Sequence, residues 1–127
     1  MDAHAKRSVI ERYIDAYNAF DIDGMLSAIH PDIEFKNVSG GEVNATASGV
    51  DEFRQLAEYS KKLFSSRKQT IRSFREEQDQ VFIDISYEGV LAADLPNGMK
   101  AGETLCLCGQ SEFTFRGTKI CRITDIS

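Results

Sequence analysis

Val9, Ile10, Tyr13, Ile14 and Tyr17 recur along one stripe of an amphipathic helix, which their spacing places over residues 3–19. Asp21 or Asp23 caps a second, short helix through Met25, Leu26 and Ile29. Pro31 ends it. The pattern then changes to alternation. From Asp32 to Val38, Ile33, Phe35 and Asn37 share one side, with Glu34 and Lys36 on the other. This is the period of a half-buried strand, and it points Asn37 the same way as two core residues. Ser39-Gly40-Gly41 is a turn. Ser48-Gly49-Val50-Asp51 reads as a capping box. It opens a third helix with Phe53, Leu56, Ala57, Ser60, Leu63 and Phe64 on one face.

From residue 68 onward the pattern is that of strands. Gln69 to Arg75 carries Ile71, and Val81 to Val90 sets Val81, Ile83, Ile85 and Tyr87 against Phe82, Asp84, Ser86 and Glu88. Glu76 to Asp79 is the turn between them, and Pro96-Asn97-Gly98 is a strong turn signal. Leu105 to Phe115 and Lys119 to Ile126 form the last pair. Helices gathered early and hairpin-linked strands gathered late predict an α+β fold, with helices covering one face of a mainly antiparallel sheet.

At 127 residues the chain reads as a single domain over residues 1–127. A net charge of −5 disfavours nucleic acid as a partner, because neutralising phosphates needs a basic surface. Lys61-Lys62 and Arg67-Lys68 read as a solvated helix end. No apolar run approaches the roughly 20 residues that span a bilayer, and no apolar core follows the opening Met1 to Arg7 segment. A cytoplasmic protein with reduced thiols is therefore expected. Cys106 and Cys108 share a strand face, and no second ligand cluster accompanies them, so no metal site is expected.

Three segments carry a family resemblance: Tyr13 to Leu26, His30 to Phe35 and Ser111 to Ile120. With them, the chain resembles the ketosteroid isomerase and SnoaL-like polyketide cyclase branch of the nuclear transport factor 2-like superfamily. Leu95-Pro-Asn-Gly followed by Ala-Gly-Glu-Thr-Leu is similar to the SnoaL-like members. The resemblance implies a cone-shaped, cystatin-like fold in which a strongly bent sheet wraps three helices around an apolar cavity. It implies that Tyr13 is the hydrogen-bond donor to a substrate oxygen on which negative charge builds. At Asn37 it implies the catalytic base, but a carboxamide cannot accept a carbon-bound proton near neutral pH. Ser111 falls near the second oxyanion donor. Tyr17, Phe35, Phe53, Tyr87, Ser111 and Phe113 are the expected lining of the pocket. No cofactor is implied, and a homodimer is.

Other polar residues are weighed against these. His30 is placed at the end of the second helix, where an imidazole suits the dipole, and Asp32 at the start of the strand. Asp84 alternates away from the apolar side. Arg122 would partner an anionic ligand if its strand register turned it inward. Cys106, Cys108 and Ile123 are expected on the outer, partner-facing side of the sheet. Two functions stay open. One is a cofactor-free isomerase, cyclase or hydrolase-like enzyme, or simple binder, for a small apolar or weakly polar cyclic ligand. The other is a non-catalytic dimeric module whose cavity is filled by side chains.

Overall fold

The computed structural model of the protein describes residues 2–127. Three helices and six strands follow in the order α1 (Ala3–Asn18), α2 (Ile22–Ser27), β1 (Ile29–Ser39), β2 (Glu42–Ser48), α3 (Gly49–Lys61), β3 (Phe64–Glu77), β4 (Gln80–Leu91), β5 (Thr104–Arg116) and β6 (Lys119–Ile126). The strands form one curved, open sheet in the order β2-β1-β6-β5-β4-β3. All neighbours are antiparallel except β1 and β6, which run parallel.

The α1 stripe is buried as its period requires: Val9, Ile10, Tyr13 and Ile14 are all in the core. They meet Ile33, Phe53, Val81, Ile83, Phe113, Ile120 and Ile123 in one cluster between helices and sheet. Lys6 closes the far end of this layer. Its ammonium lies 2.9 Å from Glu76 and donates to the Gln78 carbonyl, so a buried charge is both paired and hydrogen-bonded.

Several boundaries differ from the sequence reading, each for a physical reason. Ile29 does not extend α2. It opens β1 and pairs with Ile120, and Pro31 sits inside that strand. A proline is tolerated where it interrupts no ladder bond, and the β1–β6 register skips from Ile29 to Glu34 around it. β2 was not anticipated. Apart from Val43 it is built of small and polar residues, and Ala47 is its only fully buried position. It is an edge strand, hydrogen-bonded to β1 through a turn in which Gly40 and Gly41 both take positive φ.

The start of α3 is also arranged differently. Ser48 spends its hydroxyl on Glu34 at 2.7 Å, and Glu52, rather than Asp51, reaches back to the Ser48 N–H at 3.0 Å. Phe64 leaves the helix face and begins β3. Glu76 and Glu77 lie in β3, leaving Gln78 and Asp79 as the turn. Arg67 and Lys68 are not a solvated helix end: both lie in β3, and Arg67 is only 5% exposed.

Candidate cavity site

Between the helices and the inner face of the sheet lies a cavity of about 470 Å³. Tyr13, Tyr17, Phe35, Asn37, Phe53 and Tyr87 are all among its lining residues. Tyr13 from α1 and Asn37 from β1, the two expected catalytic positions, therefore face one hollow. Tyr59, Leu107 and Ile126 line it while staying exposed, which sets them at its mouth.

Tyr13 is held from three sides. Its ring packs against Phe53 at 6.5 Å and edge-on against Phe113 at 6.1 Å between centroids, and Phe35 extends the cluster through Phe53 at 5.8 Å. Burial is the main reason that its hydroxyl titrates well above the usual tyrosine value, with Asp125 adding to the effect. Tyr13 is thus a protonated donor at any physiological pH. Phe113 is not part of the cavity wall. It is 1% exposed and forms the packing layer beneath Tyr13.

Asn37 faces inward, as its parity predicted, but it does not bond the following turn. Its amide donates to Asn44 Oδ1 at 2.7 Å, across the β1–β2 pair. Asn44, on the unanticipated strand, also lines the cavity.

The largest departure is Asp125. The β1–β6 register sets it beside Asn37, and the β5–β6 register sets it beside Ser111. Its carboxylate lines the cavity and accepts from the Ser111 hydroxyl at 2.6 Å. Ser111 itself is 1% exposed and is absent from the wall, so its role is to hold Asp125. Burial lifts the Asp125 carboxyl to about 6, and the Ser111 bond opposes that rise. A carboxylate therefore does reach the cavity, from β6 rather than from the Asn37 position on β1.

Another part of the wall is phenolic. Tyr17 and Tyr87 bond hydroxyl to hydroxyl at 3.0 Å, with rings edge-on at 6.2 Å. Burial raises both above the usual tyrosine value. Behind Tyr17 stands Arg67, its guanidinium 3.7 Å from the Tyr17 ring centre and 4.5 Å from that of Phe20.

The remaining expectations fall outside the cavity. Arg122 is exposed and pairs opposite Glu34 and Thr114, away from the hollow. Asp84 is exposed and accepts from Ser73. His30 belongs to β1 rather than α2, and its Nδ1 accepts from the Asp32 backbone N–H. Cys106 and Cys108 are exposed free thiols, but Ile123 is fully buried in the core and not on the outer face. Among the described residues no cluster of three or more His, Cys, Asp or Glu could hold a metal ion. No helix among them is long and apolar enough to cross a membrane.

The profile of the SnoaL-like domain matches residues 10–123, nearly the whole chain. The protein belongs to the SnoaL-like domain family. Solved structures agree on its fold. TerC, co-crystallised with polyporic acid, is 23% identical with a TM-score of 0.78, over 96% of this chain and 90% of that one. A candidate polyketide cyclase from Xanthomonas campestris pv. campestris is 20% identical with a TM-score of 0.77, over 98% and 90%. A hypothetical protein with a ketosteroid isomerase-like fold from Catenulispora acidiphila is 15% identical with a TM-score of 0.75, over 92% and 82%. No curated protein matches the chain in sequence. This SnoaL-like chain thus has the ketosteroid isomerase-like architecture that its first helix and strand suggested.

Because Asn37 and Asp125 are in-register neighbours, Asn37→Asp would set two inward carboxylates side by side. Like charges at that range cannot both ionise easily, so the pair should titrate in two separated steps, the upper one above the Asp125 value. Carboxyl-carbon NMR titration of both proteins checks this. A single unshifted titration would mean that the two side chains do not share the site.

Proposed function

We propose that this SnoaL-like protein binds a small, mainly apolar ring compound in the cavity and moves a proton on it without a cofactor. One observation carries the reading: an aromatic-walled hollow of about 470 Å³ on which Tyr13, Asn37 and Asp125 converge. Cavities of this size and lining are where small-molecule ligands are usually bound. Tyr13 donates to a carbonyl oxygen of the ligand, and its packing among Phe53 and Phe113 keeps the donor preorganised as charge develops. Asp125, with a carboxyl near 6, is ionised at neutral pH yet basic enough to take a proton from the neighbouring carbon. Asn37 orients the ligand or a water. The co-crystallisation of the fold-mate TerC with polyporic acid, a ring compound, is in keeping with a cyclic ligand. The open hollow speaks against a cavity filled by side chains, and a homodimer across the outer sheet face remains part of the proposal.

The test uses neutral ketones of two to four fused rings, monitored for thermal stabilisation and for exchange of their α-protons in heavy water by NMR. At least one should stabilise the protein and exchange. Asp125→Asn should lower the exchange rate by about 100-fold or more, the usual size of a general-base contribution. Ala45→Trp, which fills the cavity from β2, should remove both binding and exchange. Exchange that persists at full rate in Asp125→Asn would refute the proton-transfer role.

A further inference from the structure

Arg67 is the one buried arginine among the described residues. Arg7, Arg54, Arg75 and Arg116 pair with carboxylates near the surface, whereas Arg67 makes no ion pair among the described residues. A guanidinium cannot shed its charge in a protein. An unpaired buried charge is costly, so something must offset it.

Part of the compensation is visible. Arg67 Nε donates to the Tyr17 carbonyl at 3.0 Å in the last turn of α1, where a cation suits the helix dipole. The rings of Tyr17 and Phe20 share the charge, with Phe20 at a positive φ of 58° in the backbone cap that ends α1. This explains why the side chain is buried but does not complete it: the buried Nη1 has no partner.

A second incomplete group stands in front of it. The Tyr17 and Tyr87 hydroxyls bond each other at 3.0 Å, and a single bond between two O–H groups uses only one of their two protons. Both rings line the cavity. The arrangement is a pair of hydroxyls with one donor proton to spare, backed by a cation whose Nη1 is unpartnered. The guanidinium is close enough to act on the hydroxyls of Tyr13, Tyr17 and Tyr87 alike, lowering each against the rise caused by burial.

Resting on the cavity reading above, we infer that the Tyr17–Tyr87 hydroxyl pair, backed by Arg67, is a subsite for an ionised acidic oxygen. The ligand is then a ring compound carrying a carboxylate, enolate or phenolate. Its anionic oxygen accepts from Tyr87, while Arg67 supplies the opposing charge through Tyr17. Asp125 lines the same hollow from β6, beside Asn37 and Ser111, and is ionised at neutral pH, so it repels an anion from its own part of the wall. The two parts of the wall thereby select one orientation, with the acidic oxygen toward β3 and β4 and the remainder of the ring system toward Tyr13 and Asp125.

The experiment compares two probes of equal shape, 2-naphthoate and the neutral 2-naphthamide, by isothermal titration near neutral pH. The intact protein should prefer naphthoate by about tenfold or more, the value of one charge-assisted hydrogen bond over a neutral one. This preference should appear despite the protein's net charge of −5, which works against non-specific anion binding. Tyr87→Phe and Arg67→Gln should each bring the preference to within about twofold of parity. Arg67→Gln also removes a helix cap, so the part-exposed Tyr87→Phe decides the matter if the arginine variant does not fold. Equal binding of both probes to the intact protein would overturn this subsite and leave the cavity reading standing. A naphthoate preference that survives Tyr87→Phe would likewise overturn it. Failure of both probes to bind would overturn the cavity reading and the subsite together.

Discussion

Asp125→Asn should make the protein more stable near neutral pH. Burial holds the folded carboxyl at about 6, against 3.8 for an unperturbed aspartate. Between those two values the folded chain binds more protons than the unfolded one, so stability falls as pH rises through this window. The contribution of Asp125 is complete below the unfolded value and is lost above about 6. At about 1.4 kcal/mol per pH unit, ionising it in place costs the fold up to ~3 kcal/mol near pH 7.5. Asparagine keeps the shape and keeps an oxygen to accept from the Ser111 hydroxyl. The variant should therefore gain about 1–3 kcal/mol near pH 7.5, a rise of several degrees in Tm, and most of that advantage should disappear near pH 4. Thermal unfolding of both proteins at the two pH values measures this. A variant less stable than the parent near neutral pH would show that the carboxylate is structural and not poised for chemistry. Carrying a group that weakens the fold at its working pH is what a functional carboxylate is expected to do.

The second large effect concerns the layer under Tyr13. Phe113 is 1% exposed and meets the Tyr13 ring edge-on. Phe113→Ala should cost about 3–5 kcal/mol, the usual loss for deleting a buried aromatic ring and leaving a cavity. Set against a total stability of roughly 5–15 kcal/mol, that is a substantial fraction. The urea midpoint should fall accordingly, and Phe113→Leu, which restores most of the volume, should lose less than half as much. The Tyr13 hydroxyl should also lose its fixed position, so binding of a ring compound should weaken even in Phe113→Leu. A loss below about 1 kcal/mol for the alanine variant would mean that the neighbouring rings close over the gap.

How much of this was legible in the sequence depends on where a single period persisted. The α1 stripe and the alternations of β1 and β4 are unbroken, so Tyr13, Tyr17, Phe35, Asn37 and Tyr87 could be assigned to their sides before any coordinates. β6 is the counter-example. Its ladder with β5 shifts between Thr114 and Phe115, so Ile120 and Ile123 are both fully buried although three residues apart. That odd step hid the inward side. Once Ile123 is placed inside, Asp125, two residues on, must follow it. Arg67 was hidden by composition, since a basic pair after a helix ordinarily marks solvent. The signal that recovers it is Phe64: taken as the start of β3 rather than the end of α3, it places Arg67 well inside a strand. β2 offered little, because an edge strand of small and polar residues looks like a loop.

The parallel pairing of β1 with β6 has a consequence for how the chain is made. β6, the ninth and last element in chain order, occupies the interior of the sheet, between β1 and β5. Until it emerges from the ribosome, the first hairpin and the later three-strand meander have nothing to join them. Each presents an open edge in the meantime, which invites pairing with other nascent chains. The strand that completes the sheet also carries Asp125, so the carboxylate is delivered to the cavity in the same step that seals the fold.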